Sequence, residues 1–415
     1  MPLSTRATMD RASFIALTAA ALTTPARAAV PAPVSLGDDL FISERWRDLR
    51  GRTIGIVTNQ SGVLSTGEPL IDAAHRNPDI TIGALFGPEH GIRGTVGAGA
   101  AVASSTDAQT GLPVYSLYGA TRHPTAEMLA DIDVLLFDIQ DVGDRAYTYI
   151  STMAYIMQSA REFGKEVWIL DRPNPIGGLV VEGPVLDPKF SSFIGLYPIA
   201  MRHGLTVGEL ALLFNDRFGI GCNLRVIAMQ NYERWMLWPD TGLDWIPTSP
   251  NIPTWQTTLV YPGTGLISEA GINNGTGDVE PFRPFFFAGA YTLDGEQLAA
   301  ALNARRLLGV RFRPAAWRPQ SGFWSGKTLT GVELILTDPR SFRAVLTAVE
   351  ILIAVRTIAP RFLSIDAQHL DRDWGTDSLR LGLTNGLDAD AIEAQWADDV
   401  GDFERLRQRY FLYPS

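Results

Sequence analysis

The sequence predicts an α/β protein: a mostly parallel sheet with covering helices, followed by a smaller α/β domain. Three observations carry this. Short runs such as Thr53–Thr58, Ile80–Phe86 and Glu166–Leu170 are apolar throughout rather than alternating, as in strands buried on both faces. Helical stretches separate them, which is the βαβ rhythm of a parallel sheet. Each run also stops abruptly at polar, Gly or Pro residues. In a parallel sheet these ends gather at one edge, where open α/β sheets hold ligands.

Residues 1–28 read as a secretory signal. Arg6 and Arg11 precede the apolar stretch Ser13–Leu22, and Ala26-Arg27-Ala28 is a small-x-small cleavage site. The apolar stretch is too short to span a bilayer. The main domain is expected over 36–285. Its first strand, 53–58, ends at Asn59-Gln60. A helix over 69–76 leads to the strand 80–86, and a third strand, 133–138, ends in Asp138. A helix over about 152–163 precedes the strand 166–170, which ends at Asp171. A helix over 207–218 and a strand over 224–228 complete the alternation. Residues 235–285, rich in Pro, Gly, Trp and Asn, show little periodicity and read as a functional loop region. The smaller domain, 286–415, is expected to hold a helix over 298–307, strands over 310–313 and 331–336, a helix over 341–358 and closing helices near 390–410.

The 415-residue chain is 46% hydrophobic and 19% charged, ordinary for a globular protein and long enough for two domains. Its net charge of −10, without a basic block, argues against nucleic acid as a partner. The single cysteine, Cys222, permits no disulfide within the chain and is not placed to carry a lipid, so no membrane anchor is expected. The five histidines lack metal-ligand spacing, so no metal is expected. Nucleotide-binding glycine loops and the nucleophile elbow are also missing. That leaves acid/base chemistry by carboxylates, without a cofactor.

Candidate residues sit where strands end. Glu89 and His90 follow Phe86-Gly87-Pro88, and Asn59 follows the first strand. Asp138 to Tyr149 packs Asp138, Asp141 and Asp144 around Arg145, with Tyr147 and Tyr149 close behind. Arg145 either ties these carboxylates together or recognises a substrate carboxylate. The tyrosines either stack on a sugar or cap a core. Asp171, Asn174, Glu182 and Asn251 lie in or beside turns stiffened by Pro and Gly. In the loop region, Glu269 precedes Asn273 and Asn274, and glycines there permit close backbone approach to a ligand.

The ordered segments Phe86–Gly94, Asp138–Tyr149, Asp171–Gly178, Val181–Pro184 and Ser249–Thr254 resemble those of the exo-β-N-acetylmuramidase family. The resemblance runs from about residue 40 to the C-terminus. It implies a Rossmann-like catalytic domain, a smaller C-terminal domain and an active site in the cleft between them. It also implies release of N-acetylmuramic acid from the non-reducing ends of peptidoglycan fragments, so muramic-acid-containing saccharides are the implied partner. The family's Pro-Glu-His-Gly motif puts the catalytic acid at Glu89. Asp141, Arg145, Tyr147, Asn174 and Asn251 carry over as substrate contacts, and Asn59, His90, Asp171, Glu182 and Asn273 join them as binding candidates. The second catalytic group is left open among Glu269, Asp141 and Glu182, or the sugar's own acetamido group. One departure stands out: the stretch 269–277 is shorter than the family pattern and lacks its arginine. That departure motivates an alternative, an exported binding protein without catalysis. An amidase or esterase would lack a recognisable nucleophile or metal.

Overall fold

The structure, a computed structural model, describes residues 32–97, 99–279 and 282–415. The signal-like segment lies outside them. Six strands come first in the chain: β1 (Thr53–Thr58), β2 (Thr81–Gly87), β3 (Ser105–Thr106), β4 (Pro113–Ser116), β5 (Val134–Asp138) and β6 (Glu166–Leu170). A short antiparallel ribbon, β7 (Glu182–Val185) and β8 (Ala200–Arg202), precedes β9 (Asn223–Ile227). The central sheet has the order β3-β4-β2-β1-β5-β6-β9, and all its pairings are parallel except β3 with β4. The expected mostly parallel α/β sheet is therefore present.

The double burial read from the sequence has a simple geometric basis. Successive side chains of a strand point to opposite faces. In β5, Val134 and Leu136 enter one core beside Phe41 and Trp168, while Leu135 and Phe137 enter the other. Helices α1 (Gly37–Ser43) and α2 (Leu70–His75) cover the first face. Helices α3 (Tyr149–Glu162) and α4 (Val207–Asp216) cover the second.

The loop region 235–285 contains a helix that the sequence reading missed, α5 (Trp255–Thr264). Pro262 lies inside it, and Thr258 and Thr264 return their hydroxyls to the backbone carbonyls of Trp255 and Val260. Proline and such threonines are poor helix signals. A second sheet follows, with β10 (Phe287–Ala290), β11 (Val310–Trp317) and β12 (Leu329–Leu336) in the antiparallel order β10-β12-β11. Helix α6 (Gly295–Ala304) covers it, α7 (Ala344–Ile358) packs against both α5 and α6, and α8 (Ala367–Trp374) follows.

Residues 33–415 form one compact unit. The larger core runs through both halves of the chain, with Ile150, Met201, Val260, Val349 and Trp374 in a single cluster. The last residues return to the central sheet. The Tyr413 hydroxyl donates to Asp171 Oδ2 at 2.5 Å, and the Arg407 guanidinium donates to the carbonyls of Gly178 and Gly204 at 2.7 and 2.8 Å.

Candidate active site

Strand β2 stops at Gly87, and Pro88 turns the chain. Glu89 emerges half-buried at the C-terminal edge of the sheet, while His90 behind it is buried. His90 has a φ of 71°, a left-handed backbone that is uncommon for a residue with a Cβ. The strained turn is clamped by a hydrogen bond of 2.8 Å between His90 Nδ1 and the Val96 carbonyl. His90 thus shapes the backbone under Glu89. The Glu89 carboxylate accepts from the Gly99 N–H at 2.7 Å and from the Thr148 hydroxyl at 3.4 Å. Tyr118, just past β4, reaches the same carboxylate.

Asn59 accepts at Oδ1 from the Ser61 N–H and hydroxyl, at 2.9 and 2.6 Å, which leaves its Nδ2 buried beside Tyr149. Burial, and next the Glu89 carboxylate, push the Tyr149 phenol up, so it stays a proton donor. Tyr147 and Tyr149 spend their hydroxyls on the Thr248 side chain and carbonyl, each at 2.7 Å. Both rings are buried, so they hold the Ser249–Thr254 turn over the sheet edge rather than offering a sugar platform. Asn251 lies half-buried on that turn.

Arg145 is not free to meet a substrate. Its guanidinium is 1% exposed and donates to four backbone carbonyls: Pro184, Ile199, Asp373 and Trp374, at 2.8 to 3.1 Å. Of the two roles the sequence left open, the structure gives it the structural one. Gly375 explains how the fork fits so closely. It has a φ of 89°, and a Cβ there would fall 2.7 Å from Arg145 Nη2.

Several other candidates also serve the scaffold. Asp171 accepts from the Gly208 N–H, the Thr206 hydroxyl and Tyr413, fastening the start of α4. Asn174 bridges the Leu205 carbonyl and the Ile176 N–H. Glu182 accepts from the Leu346 N–H at 2.8 Å and so caps α7. Asp141 is buried, accepts from the Gly143 N–H and lies 3.7 Å from His203 Nε2. The Asn273 carboxamide bonds the Thr276 carbonyl, the Gly275 N–H and the Trp317 indole. The Asn174 and Asn273 amides and the Asp171 carboxylate resemble ligand groups in sequence, but their partners lie within the chain; among the described residues, Asp141 Oδ1 and Glu182 Oε2 find none.

A cavity of about 290 Å³ opens between the Asp144–Thr148 turn and the segment 261–276. Asp144, Tyr261, Glu269, Thr276 and Asp373 line it. The two ends of the turn link cavity and carboxylate: Asp144 lines the cavity, and Thr148 touches Glu89. Tyr261 feels the charges of Asp144, Asp373 and Glu89 alike. Asp144 is 2% exposed and has no ion-pair partner among the described residues; burial, then Asp373, push its carboxyl up to about 8. Burial, then Glu269, push Asp373 up to about 7. Close carboxyls cannot all ionise cheaply, so the cavity retains protons near neutral pH.

That retention has a measurable consequence. A carboxyl raised in the folded state holds a proton that the unfolded chain releases. Its contribution is complete below about pH 4 and is lost as pH rises through about 8. Stability should therefore fall from about pH 5 to pH 8.5, and Asp144→Asn should reduce that fall by roughly half. Thermal melts across this range check it; an unchanged slope in the variant would show that Asp144 does not titrate there.

The described residues match known proteins along nearly their whole length. The family described as exo-beta-N-acetylmuramidase NamZ matches with its N-terminal part over residues 54–256 and with its C-terminal part over 259–413. This chain belongs to the exo-beta-N-acetylmuramidase family. It is a glycosidase. It is 42% identical over 381 residues to the peptidoglycan beta-N-acetylmuramidase NamZ of Bacillus subtilis, covering 92% of this chain and 91% of that one. Two crystal structures of DUF1343 family proteins from Bacteroides fragilis share the fold. One has a TM-score of 0.86 at 38% identity, covering 92% of this chain and 99% of its own; the other has 0.75 at 29% identity, covering 92% and 100%.

In this exo-beta-N-acetylmuramidase family member, sequence reading missed Tyr118 beside Glu89, Tyr261 and Asp373 in the cavity wall, and His203 behind Asp141. Asp373 carries a usable signal: an acid in the last turn of a helix opposes the helix dipole. Its helix neighbour Asp371 is paired by Arg380, whereas Asp373 faces the cavity. Tyr118 and Tyr261 carry none, because nothing local distinguishes a cleft tyrosine from a core one.

Proposed function

We propose that this chain acts on peptidoglycan fragments, removing N-acetylmuramic acid from their non-reducing ends with Glu89 as the general acid. The observation that carries the reading is the pairing of a half-buried carboxyl on a strained turn with a nearby cavity of three further carboxyls. Glycoside hydrolysis needs that division of labour. One carboxyl gives its proton to the leaving glycosidic oxygen as the bond to the anomeric carbon breaks. A second carboxylate stabilises that carbon or takes a proton from the attacking water. Glu89 fits the first role, since it is accessible and held by the Gly99 N–H and Thr148 hydroxyl. For the second, Glu269 lines the cavity; Asp144 beside it holds a proton near neutral pH, and Asp141 and Glu182 each spend one oxygen on a scaffold N–H. The binding-only alternative rests on the departure at 269–277 alone, whereas the carboxyls that hydrolysis requires are present. The signal-like segment 1–28 adds export to the proposal.

The test uses the protein recovered outside the cytoplasm, whose mass should lack residues 1–28. It is incubated with chromogenic β-glycosides of N-acetylmuramic acid and of N-acetylglucosamine. Release from the first, at least about ten-fold faster than from the second, is expected. Cleavage of neither, or of the glucosamine compound alone, would overturn the reading. A full-length mass confined to the cytoplasm would overturn export.

A further inference from the structure

A second cavity, of about 540 Å³, adjoins the carboxyl-lined one, and Ser268 and Thr276 form part of both walls. Its character differs. No carboxylate of the described residues lines it. Phe323, Trp324 and Phe362 supply rings, Ser321 and Ser364 supply hydroxyls, and Arg361 supplies a cation. Phe323 is 85% exposed, the most exposed of the large apolar side chains among the described residues. It stands at 83° to Trp324, with ring centroids 4.8 Å apart, so the pair forms an open corner. Arg361 lies over the Phe362 ring at 4.8 Å. An aromatic ring left in water costs free energy unless something covers it.

We propose that this corner is a subsite for the sugar on the leaving side of the scissile bond, resting on the hydrolase reading above. Three features select a saccharide. The corner adjoins the carboxyl-lined cavity, with Ser268 and Thr276 shared between their walls. A pyranose has an apolar C–H face to lay on Phe323 and a rim of hydroxyls for Ser321, Ser364 and Arg361. The divergent loop 269–277 forms the partition, with Gly271, Ile272 and Gly277 lining the corner and Glu269 lining the catalytic side. Left-handed φ values of 84°, 90° and 99° at Gly271, Gly275 and Gly277 keep that partition thin. The family departure in this loop therefore reshapes the leaving-side subsite, and the cut sugar's own pocket is walled mainly by other segments.

The experiment compares kcat/KM on two substrates for the wild type, Phe323→Ala and Phe323→Tyr. One is a disaccharide with N-acetylmuramic acid at its non-reducing end; the other is the chromogenic N-acetylmuramic acid glycoside, which lacks the second sugar. Phe323→Ala should lower the ratio of disaccharide to chromogenic rates by about ten-fold, mainly through KM, and Phe323→Tyr should restore it. An unchanged ratio overturns the subsite. A loss confined to fragments bearing a peptide overturns it in favour of a peptide site. If the wild type cuts neither substrate, the hydrolase reading fails separately. Trp324 fluorescence titration with the disaccharide then decides the subsite: about ten-fold weaker binding in Phe323→Ala upholds it, and equal binding overturns it.

Discussion

Glu89→Gln should lower kcat by about 10²–10⁴-fold while saccharide binding persists. The amide keeps the size of the side chain and one acceptor for the Gly99 N–H, but it has no acidic proton to give the leaving oxygen. Because Glu89 is half-buried and joined to no ion pair among the described residues, the fold should tolerate the change, and the melting temperature should move by less than about 2 °C. Steady-state rates on the chromogenic N-acetylmuramic acid glycoside, with a thermal melt beside them, check both halves. Retention of more than about a tenth of the activity would remove Glu89 from the acid role.

Arg145→Lys should cost about 3–5 kcal/mol of stability and leave sugar discrimination unchanged. The guanidinium serves four carbonyls at once, and an ammonium cannot reproduce that planar fork. Burial draws Arg145 down to about 10, with Asp144 and Asp373 opposing, so its charge persists at neutral pH and depends on those contacts. For a chain this long the loss corresponds to a fall of roughly 4–6 °C in melting temperature. The informative comparison is between melting temperature and the muramic-to-glucosamine rate ratio. An unmoved melting temperature with a collapsed ratio would return Arg145 to the substrate.

The contrast between these residues marks how far the sequence could be read. Strands 53–58 and 166–170 were legible to the residue, because burial on both faces writes an unbroken apolar run. Glu89 stood out because it directly follows Pro88 at a strand exit, and the structure places it half-buried at the sheet edge. Arg145 was ambiguous because its acceptors lie 39 to 229 residues away in the chain. Asn273 and Asn274 looked like ligand amides, yet a loop with three left-handed glycines needs amides to satisfy its own backbone. Helix α5 was hidden by threonines and proline whose backbone compensation appears only in three dimensions. Local chemistry shows through the sequence; long-range satisfaction of polar groups does not.

The return of the last residues to Asp171, with Arg145 gripping Asp373 and Trp374, bears on how such a protein can be cut and recombined. A fragment ending at residue 285 would keep the whole parallel sheet. It would also strand a buried guanidinium without two of its four acceptors and remove Tyr413 from Asp171. Its apolar face would lose Val349 and Trp374. The two halves are therefore not interchangeable cassettes. A chimera that joined this sheet to a relative's C-terminal half would need the Asp373–Gly375 turn and the Tyr413 hydroxyl transplanted with it.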